Sequence, residues 1–153
     1  MAKSPRPVTQ GRGIFEFLDA EFPAAELYWV VGGEEYLREV VDKRLRTQFL
    51  EPGFADFNHQ RLRLSASVRL NQVGDALADL PMLAERRLLE LEQAHELNAR
   101  GADELERLLE MPRHPGLLVV VVSETPKGKA SLWETLKSKA LLLNCQVEAP
   151  QMG

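Results

Sequence analysis

The first place where this sequence could do chemistry is Gly32-Gly33-Glu34-Glu35-Tyr36-Leu37-Arg38-Glu39, a tight glycine turn between an aromatic, β-branched stretch and a helical one. Turns of this kind cradle phosphates when they read G-x-x-x-x-G-K-[ST]: backbone N–H groups wrap the phosphates, the lysine neutralises them and the hydroxyl holds magnesium. Counted from Gly32, that pattern needs Gly at 37, Lys at 38 and Ser or Thr at 39, where Leu37, Arg38 and Glu39 stand. The magnesium ligand and the close backbone approach are both missing, and Glu34 and Glu35 would repel a triphosphate. A second loop, Ser123-Glu124-Thr125-Pro126-Lys127-Gly128-Lys129-Ala130-Ser131, keeps a Gly-Lys pair. It has Ser123 for the leading glycine and Ala130 for the hydroxyl, and Pro126 withholds an amide. Lys127 and Lys129 either meet a phosphate, DNA or an acidic chain beside the next helix N-terminus or are simply solvated, and the residues alone leave both open.

Metal and nucleophile chemistry have less to stand on. His95-Glu96 begins like a zinc-binding helix, but Ala99 stands where the second histidine belongs, and His59 and His114 are distant in sequence. No Ser or Cys sits on a nucleophile turn, and the glutamates fall at helix-surface positions where solvation accounts for them. No catalytic residue, metal ligand or cofactor is expected, and the chain reads as a binding protein rather than an enzyme.

One connector is odd. Leu80-Pro81-Met82-Leu83-Ala84-Glu85-Arg86-Arg87 joins a helix to a strand with apolar residues, where connectors are normally polar. Pro81 sets a short turn that either offers Met82 and Leu83 to a partner, Met being an adaptable contact residue, or tucks both against the core.

The elements that position these segments alternate. Ile14, Phe15, Phe17, Leu18 and Phe22 follow helical spacing up to Pro23, and Leu27 to Val31 reads as a strand. From Glu34 a helix places Leu37, Val40, Val41, Leu45 and Phe49 on one face. Asn58 to Leu64 is a half-exposed strand, and Ser67 is the predicted cap of a helix through Leu70, Val73 and Leu77. A strand follows at Arg87 to Glu92, a helix from about Ala102 to Met111, and a valine-rich strand at Leu117 to Val122, apolar enough to be central. A helix through Leu132, Trp133 and Leu136 leads to a last strand near Leu143 to Val147. The fold class is α/β, a parallel five-stranded sheet flanked by helices.

Composition agrees. With 153 residues, 44% hydrophobic and 27% charged, one globular domain is expected. It should cover residues 14–150 behind a flexible arm, Met1 to Gly13, that carries Lys3, Arg6 and Arg12. Net charge −4 with interspersed signs argues against a surface that is wholly a nucleic-acid footprint, although the arm and the loop lysines leave DNA binding as an alternative. Cys145 is the only cysteine, which excludes an internal disulfide and suits a reducing compartment. Without a signal peptide or an apolar run near the roughly 20 residues a span needs, a soluble cytoplasmic protein is expected. The sequence ends just after its last strand, as a domain cut from a longer protein would.

Taken in order, Tyr28-Trp29-Val30-Val31-Gly32, Glu34-Glu35-Tyr36-Leu37, Leu80 to Leu88, and Leu117 to Val122 with Lys127 and Lys129 downstream resemble the N-terminal domain of the delta subunit of the bacterial DNA polymerase III clamp loader. The resemblance implies the nucleotide-binding fold of AAA+ proteins with a degenerate nucleotide site. It also implies that Leu80, Pro81, Met82 and Leu83 form a hydrophobic wedge that enters a pocket on the sliding clamp and helps open the ring for loading onto DNA. The family often has Phe at the second apolar position, where this chain has Leu83. The resemblance further implies that the other loader subunits are met through a helical domain and a collar domain beyond this sequence, and DNA only indirectly.

Overall fold

A computed structural model of the chain describes residues 21–32, 35–66 and 70–145. Its five strands are β1 (Leu27–Val31), β2 (His59–Arg63), β3 (Arg87–Glu92), β4 (Leu117–Ser123) and β5 (Leu141–Asn144), and its α-helices are α1 (Glu35–Phe49), α2 (Asn71–Ala78), α3 (Ala99–Glu110) and α4 (Ser131–Lys139), with short 3-10 turns at Ala55–Phe57 and Ala94–Glu96. The strands form one sheet in the order β2-β3-β4-β1-β5, and every pairing is parallel. The expected five-stranded parallel sheet is thus present, with β4 at its centre and β1 beside it.

Side chains on a strand alternate between faces, and the sheet sorts its apolar residues accordingly. Leu27, Trp29 and Val31 of β1 join Val119 and Val121 of β4 and Leu89 and Leu91 of β3 in a core closed by Val73 and Leu77 of α2, Leu105 and Leu109 of α3, and Leu132 and Leu136 of α4. Tyr28, Val30, Val120 and Leu88 face the other way and are covered by Leu37, Val41, Leu45 and Phe49 of α1, together with Phe22. One helix on one face and three on the other explain why β1 and β4 read as unbroken apolar runs: neither face of either strand meets water. Each such side chain contributes roughly 1.5–3 kcal/mol through burial.

A few polar contacts lock the layers. Trp29 stacks on Trp133 of α4 with centroids 5.8 Å apart, and its indole N–H donates to the buried Ser123 hydroxyl at 2.9 Å. Gln48 of α1 accepts from the Phe22 amide and donates to the Phe22 carbonyl, at 2.8 and 2.7 Å, which fastens the segment ahead of β1.

Three boundaries differ from expectation. The α3 helix begins at Ala99, three residues before Ala102, because the Asn98 side chain caps it by accepting from the Gly101 N–H at 2.8 Å. The last strand begins at Leu141 rather than Leu143, since α4 stops at Lys139 and the three leucines pair directly with β1. The α2 helix begins at Asn71 with Leu70 in the cap position, contributing no side-chain hydrogen bond. The predicted Ser67 cap, the Met1 to Gly13 arm and residues 14–20 of the predicted first helix lie outside the described residues, as does the end of the predicted last strand. No helix among the described residues is long and apolar enough to cross a membrane.

Candidate functional site

In this sheet the chain leaves β1 towards β2 and leaves β4 towards β5, so the two adjacent strands send their connections to opposite sides. The crevice at their C-terminal ends is where α/β folds of this kind hold ligands. Gly32 stands there with φ 139, a left-handed value that favours glycine, and its N–H donates to the Ser123 carbonyl at 3.0 Å. Arg38, at the position of the phosphate-binding lysine, turns back on the loop: its Nη1 donates to the Gly32 carbonyl at 2.5 Å. The cavity beside it holds about 390 Å³ and is lined by Glu35, Glu39, Asp42, Glu90, Glu92 and Glu124 as well as Arg38, Arg61 and Arg63. Carboxylates outnumber arginines in this cavity, which disfavours a polyanion.

Within that cavity is a group that the sequence did not reveal. Asp42 of α1, His59 of β2 and Glu90 of β3 bring one potential ligand atom each within 4.8 Å of one another. His59 Nε2 lies 2.6 Å from Glu90 Oε1. Arg61 Nη2 donates to Asp42 Oδ2, Arg46 Nε lies 3.1 Å from the same oxygen, and Arg61 Nε is 3.5 Å from Glu90 Oε2. Two guanidinium groups already hold the Asp42 carboxylate, so the donor set fits an internal polar network that ties α1 and the edge strand to β3 better than it fits a dication. Burial pushes the Glu90 carboxyl up to about 9, helped by a hydrogen bond with Asp42 and its negative charge. Burial likewise holds His59 below its usual value. Glu90 was hidden in sequence because only the register, which sets Arg61 opposite it, turns a strand glutamate into a partner.

The loop after β4 carries Lys127 and Lys129, both exposed. They line a separate cavity with Asn98, Asp103, Glu124 and Trp133, so acidic groups share the space with the two lysines. His95 closes its edge: Nδ1 accepts from the Glu124 N–H and Nε2 lies 3.0 Å from the Glu124 carboxylate, and the ring binds within the protein.

The apolar connector sits at the opposite end of the sheet, ahead of β3. Leu80, Met82 and Leu83 are 66%, 56% and 72% exposed, while Pro81 is half-buried. The choice left open by the sequence therefore falls on exposure: these side chains are not part of the core. The loop is nevertheless firmly held. Asn58 binds both backbone groups of Met82, accepting from its N–H at 2.6 Å and donating to its carbonyl at 2.7 Å. The buried Arg87 donates to Asp79 at 3.3 Å, to the Phe57 carbonyl at 3.2 Å and to Gln60 at 2.6 Å. The Arg86 guanidinium lies 5.1 Å from the centre of the Phe49 ring. Gly116 lets the loop pass close by, since a Cβ there would stand 2.1 Å from the Glu85 carbonyl oxygen. Leu83 takes φ 57, a left-handed conformation rare for leucine that persists only where its surroundings enforce it.

The chain matches the family described as DNA polymerase III, delta subunit, over residues 28–146, from the second residue of β1 to beyond β5. Among solved structures it is similar to the Bacillus subtilis DNA clamp loader delta protein (YqeN), at 22% identity and a TM-score of 0.69, over 87% of this chain and 41% of that one. It is also similar to a DNA polymerase III gamma subunit-related protein of Thermotoga maritima, at 16% identity and a TM-score of 0.58, over 89% of this chain and 45% of that one. The chain spans less than half the length of either structure. No curated protein sequence matches it. The two structures support the fold, a parallel α/β sheet, and the family match takes in both the Gly32 turn and the exposed loop, so the chain belongs to the DNA polymerase III delta subunit family.

Proposed function

We propose that this chain is a non-catalytic, clamp-binding domain of the replicative clamp loader. Met82 and Leu83, with Leu80 beside them and Pro81 shaping the turn, dock in an apolar pocket of the ring-shaped sliding clamp and help to open the ring for DNA. The observation that carries this reading is the exposure of three large apolar side chains on one short loop whose backbone is fastened at Met82 by Asn58 and whose flanks are held by Arg87. Clustered apolar exposure of this kind marks an interaction surface, and a fastened loop loses little freedom when it docks. At the other end of the sheet, Arg38 folded onto Gly32 and the surrounding carboxylates support a domain that neither binds nor hydrolyses ATP. The other loader subunits meet the longer protein through its further parts, DNA is reached through the clamp, and the cytoplasm is the working compartment.

Retention of the chain on immobilised sliding clamp of the same organism tests the reading. Apolar docking should persist as salt is raised from about 0.1 M to about 1 M, because it releases few counterions, whereas a phosphate- or DNA-type contact through Lys127 and Lys129 would fade steeply. Replacing both lysines by Ala should leave retention unchanged. Absence of retention at low salt contradicts the proposal.

A further inference from the structure

We infer that Asn58, just ahead of β2, is the positioning residue that gives the clamp-binding loop its shape, an inference that rests on the function proposed above. Asn58 is almost fully buried, at 1% exposure. Its own carbonyl accepts from the Leu88 N–H at 2.7 Å, so its backbone is pinned to β3. From that fixed base the side-chain amide pairs with Met82 as a neighbouring strand would, satisfying the N–H at 2.6 Å and the carbonyl at 2.7 Å, and Nδ2 also donates to the Phe54 carbonyl at 3.2 Å.

The chemistry selects this residue type. Aspartate lacks the donor, glutamine is one methylene longer, and a serine or threonine hydroxyl cannot face both groups of one peptide residue at once. With both backbone groups of Met82 taken up, the chain turns at the next residue, and Leu83 is the one found at φ 57. Arg87 holds the flanks of the same structure through Asp79 and the Phe57 carbonyl. Without Asn58, Met82 would turn its N–H and carbonyl to water, and Leu83 would relax towards the negative φ that leucine prefers. The loop would then have to be ordered again on docking, which weakens binding without removing any contact residue.

A double-mutant cycle on this chain, titrated with the sliding clamp of the same organism, tests the inference. Asn58→Ala should weaken affinity about tenfold, equivalent to about 1.4 kcal/mol, and should speed amide exchange at Met82. In a Met82→Ala/Leu83→Ala background the same replacement should change the residual affinity by less than about twofold, because the residue acts only through those side chains. Should Asn58→Ala fail to fold, Asn58→Leu, which keeps the packing volume without donor or acceptor, goes through the same cycle. Equal losses in both backgrounds would show a general structural role and overturn the inference. So would a folded variant with fast Met82 exchange and unchanged clamp affinity. If the Met82→Ala/Leu83→Ala chain binds as tightly as the parent, the clamp-binding reading itself falls and this inference with it.

Discussion

Replacing Glu90 by Gln should flatten the dependence of folding stability on pH. Glu90 is 3% exposed, its Oε1 lies 2.6 Å from His59 Nε2, and it shares a hydrogen bond with Asp42. Its carboxyl is pushed up from 4.5 to about 9, so near neutrality the folded chain holds a proton that the unfolded chain has released. The folded state therefore binds more protons over the interval between those two values. Stability is greatest at its acid end and is lost as pH rises through it, at up to about 1.4 kcal/mol per pH unit. From about pH 6 to about pH 8 the native chain should lose about 2 kcal/mol from this group. Glutamine carries a permanent donor and acceptor in place of the protonated acid, so it can still accept from His59 and donate to Asp42. Urea unfolding at a series of pH values reads the difference: the parent midpoint should fall across this range while that of Glu90→Gln stays nearly level. Parallel slopes for the two proteins, or a Gln variant already several kcal/mol less stable at about pH 6, would refute the reasoning.

Two further perturbations test other parts of the structure. Gly116→Ala puts a Cβ 2.1 Å from the Glu85 carbonyl oxygen, so the loop or the start of β4 must shift, at a cost of about 1–3 kcal/mol seen as a lower thermal midpoint; an unchanged midpoint contradicts it. Magnesium-ATP should leave the thermal midpoint unmoved, whereas stabilisation by about 2–3 kcal/mol at saturating ligand would show that the Gly32 turn still binds nucleotide.

Much of the fold was legible because its strongest signals are local. Leu27 to Val31 and Leu117 to Val122 announce doubly covered strands through unbroken apolar runs, and the four-residue spacing of Leu37, Val41 and Leu45 announces α1. The start of α3 was obscured because Ala99, Arg100 and Gly101 carry no large apolar residue and the signal lies in the cap, Asn98. The start of β5 was obscured because Leu141 and Leu142 suit the end of a helix as well as a strand. For the site, the defects of the phosphate turn were readable residue by residue, since they are omissions from a fixed pattern. Exposure of Met82 and Leu83 was not readable, because an apolar pair on a turn suits a core or an interface equally, and only packing decides. The fastening of that loop by Asn58 and Arg87 spans 24 and 8 residues and depends on strand pairing, which no local pattern encodes.

The two ends of the sheet differ in character. The C-terminal end, where folds of this type hold ligands, opens into a cavity lined by arginines and a larger number of carboxylates, and the N-terminal end carries the exposed apolar loop.

The most direct measurement of the central claim is clamp affinity and folding stability taken on the same Met82→Ala/Leu83→Ala protein. More than half of each side chain is available for burial by a partner, so docking should draw roughly 1–2 kcal/mol from each. Their joint removal should weaken clamp binding by roughly 30- to 700-fold. Folding stability should stay within about 0.5–1 kcal/mol of the parent, as for other exposed positions. A variant that keeps its stability and loses the clamp is the result the account predicts; a variant that is sharply destabilised yet binds the clamp as tightly as the parent would contradict it.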